Sequence, residues 1–177
     1  MVRVAKEKGF VLPTVYQGNY SPVARKPEDV LFPILRQNNI AFYAYSPLAG
    51  GFLAKTRAQI EEQTHRFDPN TAVGRIYGTL YNKPSYLDAL SKWELISDKS
   101  GISKAELAYR WVAHNSPLKL AHGDALIFSG SSLEQTRQTI KGIKRGPLPH
   151  EVAQQIDELW DLIKDEAGLD NFNLNSA

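Results

Sequence analysis

The sequence predicts an α/β chain in which about three parallel strands alternate with flanking helices. Three observations carry that expectation. Short β-rich apolar runs lie at 10–16, 40–45 and 125–128. Helical periodicity fills the stretches between and after them. No repeat or linker splits the 177 residues, so residues 1–177 read as one domain. Strands alternating with helices imply βαβ units and a parallel sheet.

Residues 1–8 read as the tail of a helix stopped by Gly9. Phe10 to Tyr16 follows as the first strand, with Pro13 removing one ladder donor. Residues 18–27 read as a loop. Pro27 then opens a helix whose first turn holds Glu28 and Asp29 and whose apolar face is Val30, Leu31, Ile34 and Leu35. Pro33 predicts a kink in it. Asn38-Asn39 ends that helix, and Ile40 to Tyr45 is nearly all apolar, as in a strand buried on both faces. Ser46 to Gly51 is a Pro/Gly-rich turn. Ala54 to Lys83 has weak periodicity and reads as a long functional loop. Beyond it, Tyr86 to Lys99 is helical. Ser103 and Glu106 form a capping box for a helix reaching His114. Ala125 to Phe128 is the third strand, followed by helices at 132–144 and 149–167. The last ten residues, three of them asparagine, read as loose.

Composition removes several function classes. Twenty-one basic and nineteen acidic side chains leave a net charge of +2, which offers no footprint for nucleic acid or an anionic membrane. The absence of cysteine excludes disulfides and thiolate chemistry. The charged start does not resemble a secretory signal, and no apolar run is long enough to span a membrane. The expected location is cytoplasmic. Histidines at 65, 114, 122 and 150 lack metal-ligand spacing, so no metal is expected.

Leu12-Pro-Thr-Val-Tyr-Gln-Gly-Asn-Tyr20 resembles the sixth strand and following loop of aldo-keto reductases, nearest their aflatoxin-aldehyde reductase branch. Phe42-Tyr-Ala-Tyr-Ser-Pro-Leu-Ala-Gly-Gly-Phe-Leu53 looks like the seventh strand and its loop. Val73-Gly-Arg75 matches a motif of that branch's long loop. Residues 121–135 are similar to the eighth strand and its cofactor loop. The resemblance implies a partial (β/α)8 barrel of TIM type, completed by oligomerisation. It also implies that NADPH lies across the strand ends. Gln17 would sit near the nicotinamide carboxamide, and Tyr45 would stack on the ring. Ser46, Leu48 and Gly50 would follow the pyrophosphate. Gly130, Ser131, Ser132 and Gln135 would meet the adenosine 2′-phosphate. Where the family carries an asparagine near the adenine, this sequence reads Arg137-Gln138-Thr139. The family's catalytic Asp, Tyr, Lys and His belong to strands that would precede Met1, so the chain is expected to lack that tetrad.

Each candidate also has a plainer reading. Tyr45 alone reads as core, and the Ser-Pro-Leu-Ala-Gly-Gly that follows turns it into a cofactor platform. Gln17 at a strand end serves either backbone groups or a ligand. Arg75 is either solvated or a holder of phosphate or carboxylate. Tyr77 and Tyr81 are lid contacts or surface packing. His65, with Asp68 nearby, is the one histidine placed for acid/base work. Together Tyr45, His65, Asp68 and Arg75 suggest a repurposed non-redox enzyme of secondary metabolism. It would cyclise or lactonise a polyketide-type carbonyl substrate by positioning and proton transfer, with no cofactor required. The alternatives are an NADPH-binding oxidoreductase subunit whose partner supplies the tetrad, or a non-catalytic binding remnant. Three parallel strands leave two open edges, which predicts a homodimer.

Overall fold

The computed structural model describes residues 1–171 and contains the expected three-stranded parallel sheet. Strands β1 (Val15–Asn19), β2 (Ala41–Tyr45) and β3 (Ala125–Leu126) lie side by side in chain order. Val15 pairs with Ala41 and Asn19 with Tyr45 at the two ends of the first ladder. Tyr43 and Ala44 pair with Ala125 and Leu126 in the second. Helix α1 (Val2–Lys8) precedes β1, and α2 (Pro27–Val30) and α3 (Phe32–Gln37) connect it to β2. Helices α4 (Arg57–Glu61), α5 (Ala72–Tyr81), α6 (Pro84–Ser100) and α7 (Lys104–Arg110) lead from β2 to β3. Helices α8 (Leu133–Ile143) and α9 (His150–Ile163) follow.

The structure departs from the sequence expectation at five places. The first strand sits later than Phe10 to Tyr16, because the ladder begins only at Val15, after Pro13. The polar Gln17-Gly18-Asn19, read as strand end and loop, is its C-terminal half. The helix opened by Pro27 is two short helices broken at Leu31, where Pro33 cannot supply a helical N–H. The long loop is not featureless. Thr56 and Gln59 form a reciprocal capping box that starts α4, and the Thr71 hydroxyl accepts from Gly74 N–H to start α5. In the box at Ser103, only the serine half is made: Glu106 N–H donates to Ser103 Oγ, while the Glu106 carboxylate turns to Arg110 and Arg145. In the C-terminal stretch read as loose, residues 168–171 are ordered against the body of the fold. The remainder of that stretch lies outside the described residues.

The sheet's alternation divides core from site. Even-numbered side chains of β1 and β2 face the helices. Phe42 and Ala44 are fully buried there, and Tyr20, Phe32, Phe42 and Trp111 form one aromatic cluster with centroids 4.8–5.9 Å apart. Gly18 has no side chain because a Cβ there would lie 2.7 Å from the Phe42 ring. The odd-numbered face is less covered: Val15 and Gln17 are exposed, and Tyr43 and Tyr45 are half-buried.

One carboxylate locks the N-terminal end of the sheet. The Asp124 side chain is 1% exposed. It accepts from Arg36 Nη1 at 3.0 Å and Nη2 at 2.6 Å, from Phe42 N–H at 2.8 Å and from Lys119 N–H at 2.8 Å. The four bonds join α3, β2 and the segment before β3. A buried charge is tolerated only when its lone pairs are filled in this way. Both outer edges of the sheet, along β1 and β3, lack a ladder partner among the described residues. Apolar side chains crowd near them: Phe10, Val11 and Ile34 on the β1 side, and Ile127 and Leu133 on the β3 side, are exposed. No helix among the described residues is long and apolar enough to cross a membrane.

Replacing Asp124 by Asn keeps the shape, removes the charge and puts a donor where four donors converge. We expect Asp124→Asn to lower stability by about 3 kcal/mol, measured as a shift of the urea midpoint at unchanged slope. A loss below about 0.5 kcal/mol, the range of ordinary surface substitutions, would show that the lock is dispensable.

Candidate functional site

The C-terminal strand ends open into a turn built from strained backbone. Tyr45 ends β2, and Ser46, Ala49, Gly50 and Gly51 all have positive φ, from 50° to 100°. For Ser46 and Ala49 this costs of order 1 kcal/mol each. Strain of this kind persists where the surroundings enforce it. Here Ala49 N–H donates to Ser46 O at 2.8 Å, Gly50 N–H donates to Ser46 Oγ at 3.0 Å, and Gly51 N–H donates to Leu48 O at 2.9 Å. Ser46 Oγ is thereby fixed as an acceptor, which leaves its own O–H to donate. Trp93 Nε1–H, donating to Leu53 O at 2.9 Å, anchors the far side of the turn in the core.

An aromatic rack holds the turn from above. The Tyr77 ring lies against Gly50, where a Cβ would sit 2.3 Å from it. Tyr77 stacks on Tyr81, and Tyr81 stacks on Phe52. Burial pushes the Tyr81 phenol well up, offset in part by a hydrogen bond with Asn19. The Val73-Gly74-Arg75 motif acquires a structural meaning here. Gly74 packs so tightly on the Asp68 carbonyl that no side chain fits, so it seats α5 on the preceding turn. Arg75 donates to Pro69 O at 3.3 Å and remains exposed.

From this turn a cleft of about 500 Å³ runs between α7 and α8. Its walls are Leu48 and Ala54 from the turn, Ser103 and Tyr109 from α7 and its cap, and Gly130, Gln135 and Thr139 from the third strand's exit and α8. The mouth of α8 is tightly organised. Ser132 Oγ accepts from Gln135 N–H, and Gln135 Oε1 accepts from both Ser131 N–H and Ser131 Oγ–H. The positive end of an 11-residue helix therefore opens on the cleft. Gly130 lets the strand exit fold onto Thr136 Oγ1, 2.6 Å from where a Cβ would be. Lys141 and Arg145, both exposed, line the cleft toward the C-terminal end of α8. Arg145 is paired with Glu106, whose carboxylate also holds Arg110. Burial raises the Tyr109 phenol above its ordinary range, and a Thr139 hydrogen bond opposes the shift.

The structure gathers the predicted residues unequally. Tyr45, Ser46, Leu48 and Gly50 follow one another through the turn, and Gly130, Ser131, Ser132 and Gln135 converge at the cleft mouth. Gln17 is exposed in β1 opposite Tyr43. His65, Asp68 and Arg75 do not join Tyr45: among the described residues no hydrogen bond or ion pair links them to it. His65 is exposed, and the Asp68 carboxylate is occupied by Asn70 N–H and Nδ2–H, both at 2.9 Å. Three residues escaped the sequence reading. Asn19 is buried opposite Tyr45, and its Oδ1 has no hydrogen-bond partner. Tyr109 and Thr139 line the cleft. Asn19 did stand within the motif at the end of β1, so a signal was present. Tyr109 sat on an apolar helix face and gave none.

The model of the Aldo/keto reductase family matches residues 1–161. The chain is 39% identical over 163 residues to oxidoreductase sirO of Leptosphaeria maculans, covering 92% of this chain and 50% of that protein. It is 37% identical over 175 residues to aflatoxin B1 aldehyde reductase member 4 of Homo sapiens, covering 92% and 51%. The chain spans about half the length of the curated relatives it matches. Glycerol dehydrogenase AKR11B4 of Gluconobacter oxydans superposes with a TM-score of 0.61 at 20% identity, over 89% of this chain and 44% of that one, a likeness of fold alone. Three parallel strands with flanking helices are thus a partial barrel.

The Gly50–Tyr77 contact is directly testable. Gly50→Ala adds a methyl inside the Tyr77 ring at positive φ and should cost about 2 kcal/mol. Tyr77→Ala in the same chain should recover the steric part, leaving about 1 kcal/mol of backbone strain. Thermal melts of the single and double variants report both numbers.

Proposed function

Because the chain belongs to the aldo/keto reductase family, we propose that its strand ends bind NADPH and that, within a completed barrel, it reduces carbonyl substrates of secondary metabolism in the cytoplasm. The observation that carries this reading is the continuous run from Tyr45 through the left-handed turn into the α7–α8 cleft. Its chemistry suits a dinucleotide: an aromatic face, a hydroxyl donor and a helix N-terminus. NADPH, when bound, would supply the hydride.

The residues present fit such a ligand. The Asn19 Oδ1 acceptor, buried without a partner, suits an amide N–H donor beside Tyr45. The Tyr45 ring offers a face for a planar heterocycle. Ser46 O–H donates toward an anion. The α8 N-terminus, with Ser131, Ser132 and Gln135 fixed around it, favours a phosphate. In this reading the proton for the carbonyl oxygen comes from a side chain that the second copy brings across the barrel, because within one chain no hydrogen bond or ion pair among the described residues links Tyr45 with His65, Asp68 or Arg75.

The test is an NADPH titration of the full chain, followed by tryptophan quenching and thermal shift. Saturable binding, with a melting point that rises with ligand concentration, supports the reading. No binding at millimolar NADPH removes it. The preferred function then becomes cofactor-independent cyclisation or lactonisation by Tyr45, His65, Asp68 and Arg75, assayed on a reactive polycarbonyl compound without cofactor.

The same reading requires strands beyond β1 and β3. We assign them to a second copy of this chain, related by a two-fold axis, which covers both open edges at once. Light scattering at micromolar concentration should give twice the chain mass. The mass of a single chain overturns the assignment.

A further inference from the structure

The described chain ends in a strap that α9 does not absorb. Beyond Ile163 the backbone turns through Lys164 and Glu166 and then reaches the C-terminal strand ends. Three contacts set its course. Lys83 Nζ donates to Glu166 O at 3.2 Å. Leu169 and Asp170 line a cavity of about 130 Å³ together with Tyr16, Gly18 and Asn19 of β1. Tyr45 O–H donates to Asn171 Oδ1 at 2.6 Å, across 126 positions of sequence.

The last bond is the informative one. Tyr45 stands half-buried at the strand end, and burial pushes its phenol up. A tyrosine ring has two free torsions, and a bond at its outermost atom restrains both. Stacking on a planar ligand tolerates errors of only about 10–20°, so whatever fixes the hydroxyl fixes the platform.

We propose that Asn171 is a positioning residue, whose side-chain oxygen orients the Tyr45 ring for stacking against a nicotinamide-type heterocycle. This rests on the NADPH reading of the strand ends. It makes the C-terminal strap part of the site, in contact with Tyr45 and the end of β1. Asn171 itself touches no reacting atom.

The test separates the nicotinamide end of the ligand from its adenosine end. The full chain is titrated with NADPH and, separately, with 2′,5′-ADP, which keeps the adenosine phosphates and lacks the nicotinamide. In Asn171→Ala, affinity for NADPH should fall about fivefold, the worth of one neutral hydrogen bond, while affinity for 2′,5′-ADP stays unchanged. Asn171→Asp, which keeps an acceptor oxygen, should recover NADPH affinity. Tyr45→Phe should show the same fall, and combining it with Asn171→Ala should add nothing. Equal losses for both ligands mean general damage and overturn the role, as does NADPH binding that ignores Asn171→Ala. If neither ligand binds the unaltered chain, the NADPH reading itself fails and takes this proposal with it.

Discussion

The buried Asp124 carboxylate is the constraint on which the sheet depends. Three segments donate to it: the Arg36 guanidinium at the end of α3, the Phe42 amide in β2 and the Lys119 amide ahead of β3. Leaving a charge of this kind without partners costs several kcal/mol, so the three segments are held in one relative position or the fold loses heavily. Phe42 and Tyr45 are three residues apart on one strand, a separation of about 10 Å. Fixing the N-terminal end of β2 therefore fixes the platform at its C-terminal end. The lock and the site occupy opposite ends of the same short element.

A second polar network ties the exit of β1 to the outer helices. Tyr20 O–H donates to Glu28 Oε1 at 2.6 Å. Arg25 bonds Glu28 and Asp157, and its guanidinium lies 4.6 Å from the Trp111 ring. With both ends of the sheet anchored, the turn after Tyr45 can hold left-handed residues at non-glycine positions. Its strain is contained by the Ser46 bonds and the Tyr77–Tyr81–Phe52 stack, so the turn is wound before any ligand arrives.

The legible parts of the sequence were those in which local signals and burial agree. Ile40 to Tyr45 is apolar throughout, and it became the central strand. Helices α6, α8 and α9 stand close to where the sequence places them. Asp124 gave no signal, because its partners are 82 to 88 positions away in three of its four bonds. The span of β1 misled for a physical reason: the apolar Phe10 to Leu12 suggested strand, yet the ladder runs through the polar Gln17-Gly18-Asn19, whose composition reads as loop. In the long loop, α4 and α5 were hidden because short helices are fixed by single capping threonines rather than by periodicity. The residues proposed to bind a cofactor were visible through their motifs. His65, Asp68 and Arg75 stand out by residue type, and type says nothing about which of them bond to one another. Asn171 lay in an asparagine-rich tail that composition reads as loose.

Pro13 bears on how this surface tolerates water. Phe10, Val11 and Leu12 are exposed just before β1, and an apolar stretch beside a bare sheet edge is the usual seed of fibrils. Proline offers no amide hydrogen, so Pro13 leaves a gap in the row of donors that an incoming strand would need. Growth of a continuous ladder along residues 10–15 is interrupted there, whereas burial of the Phe10 and Val11 side chains by a shaped partner is not. The segment is thus sticky toward surfaces and refractory to templated strand addition, a difference that separates assembly from aggregation.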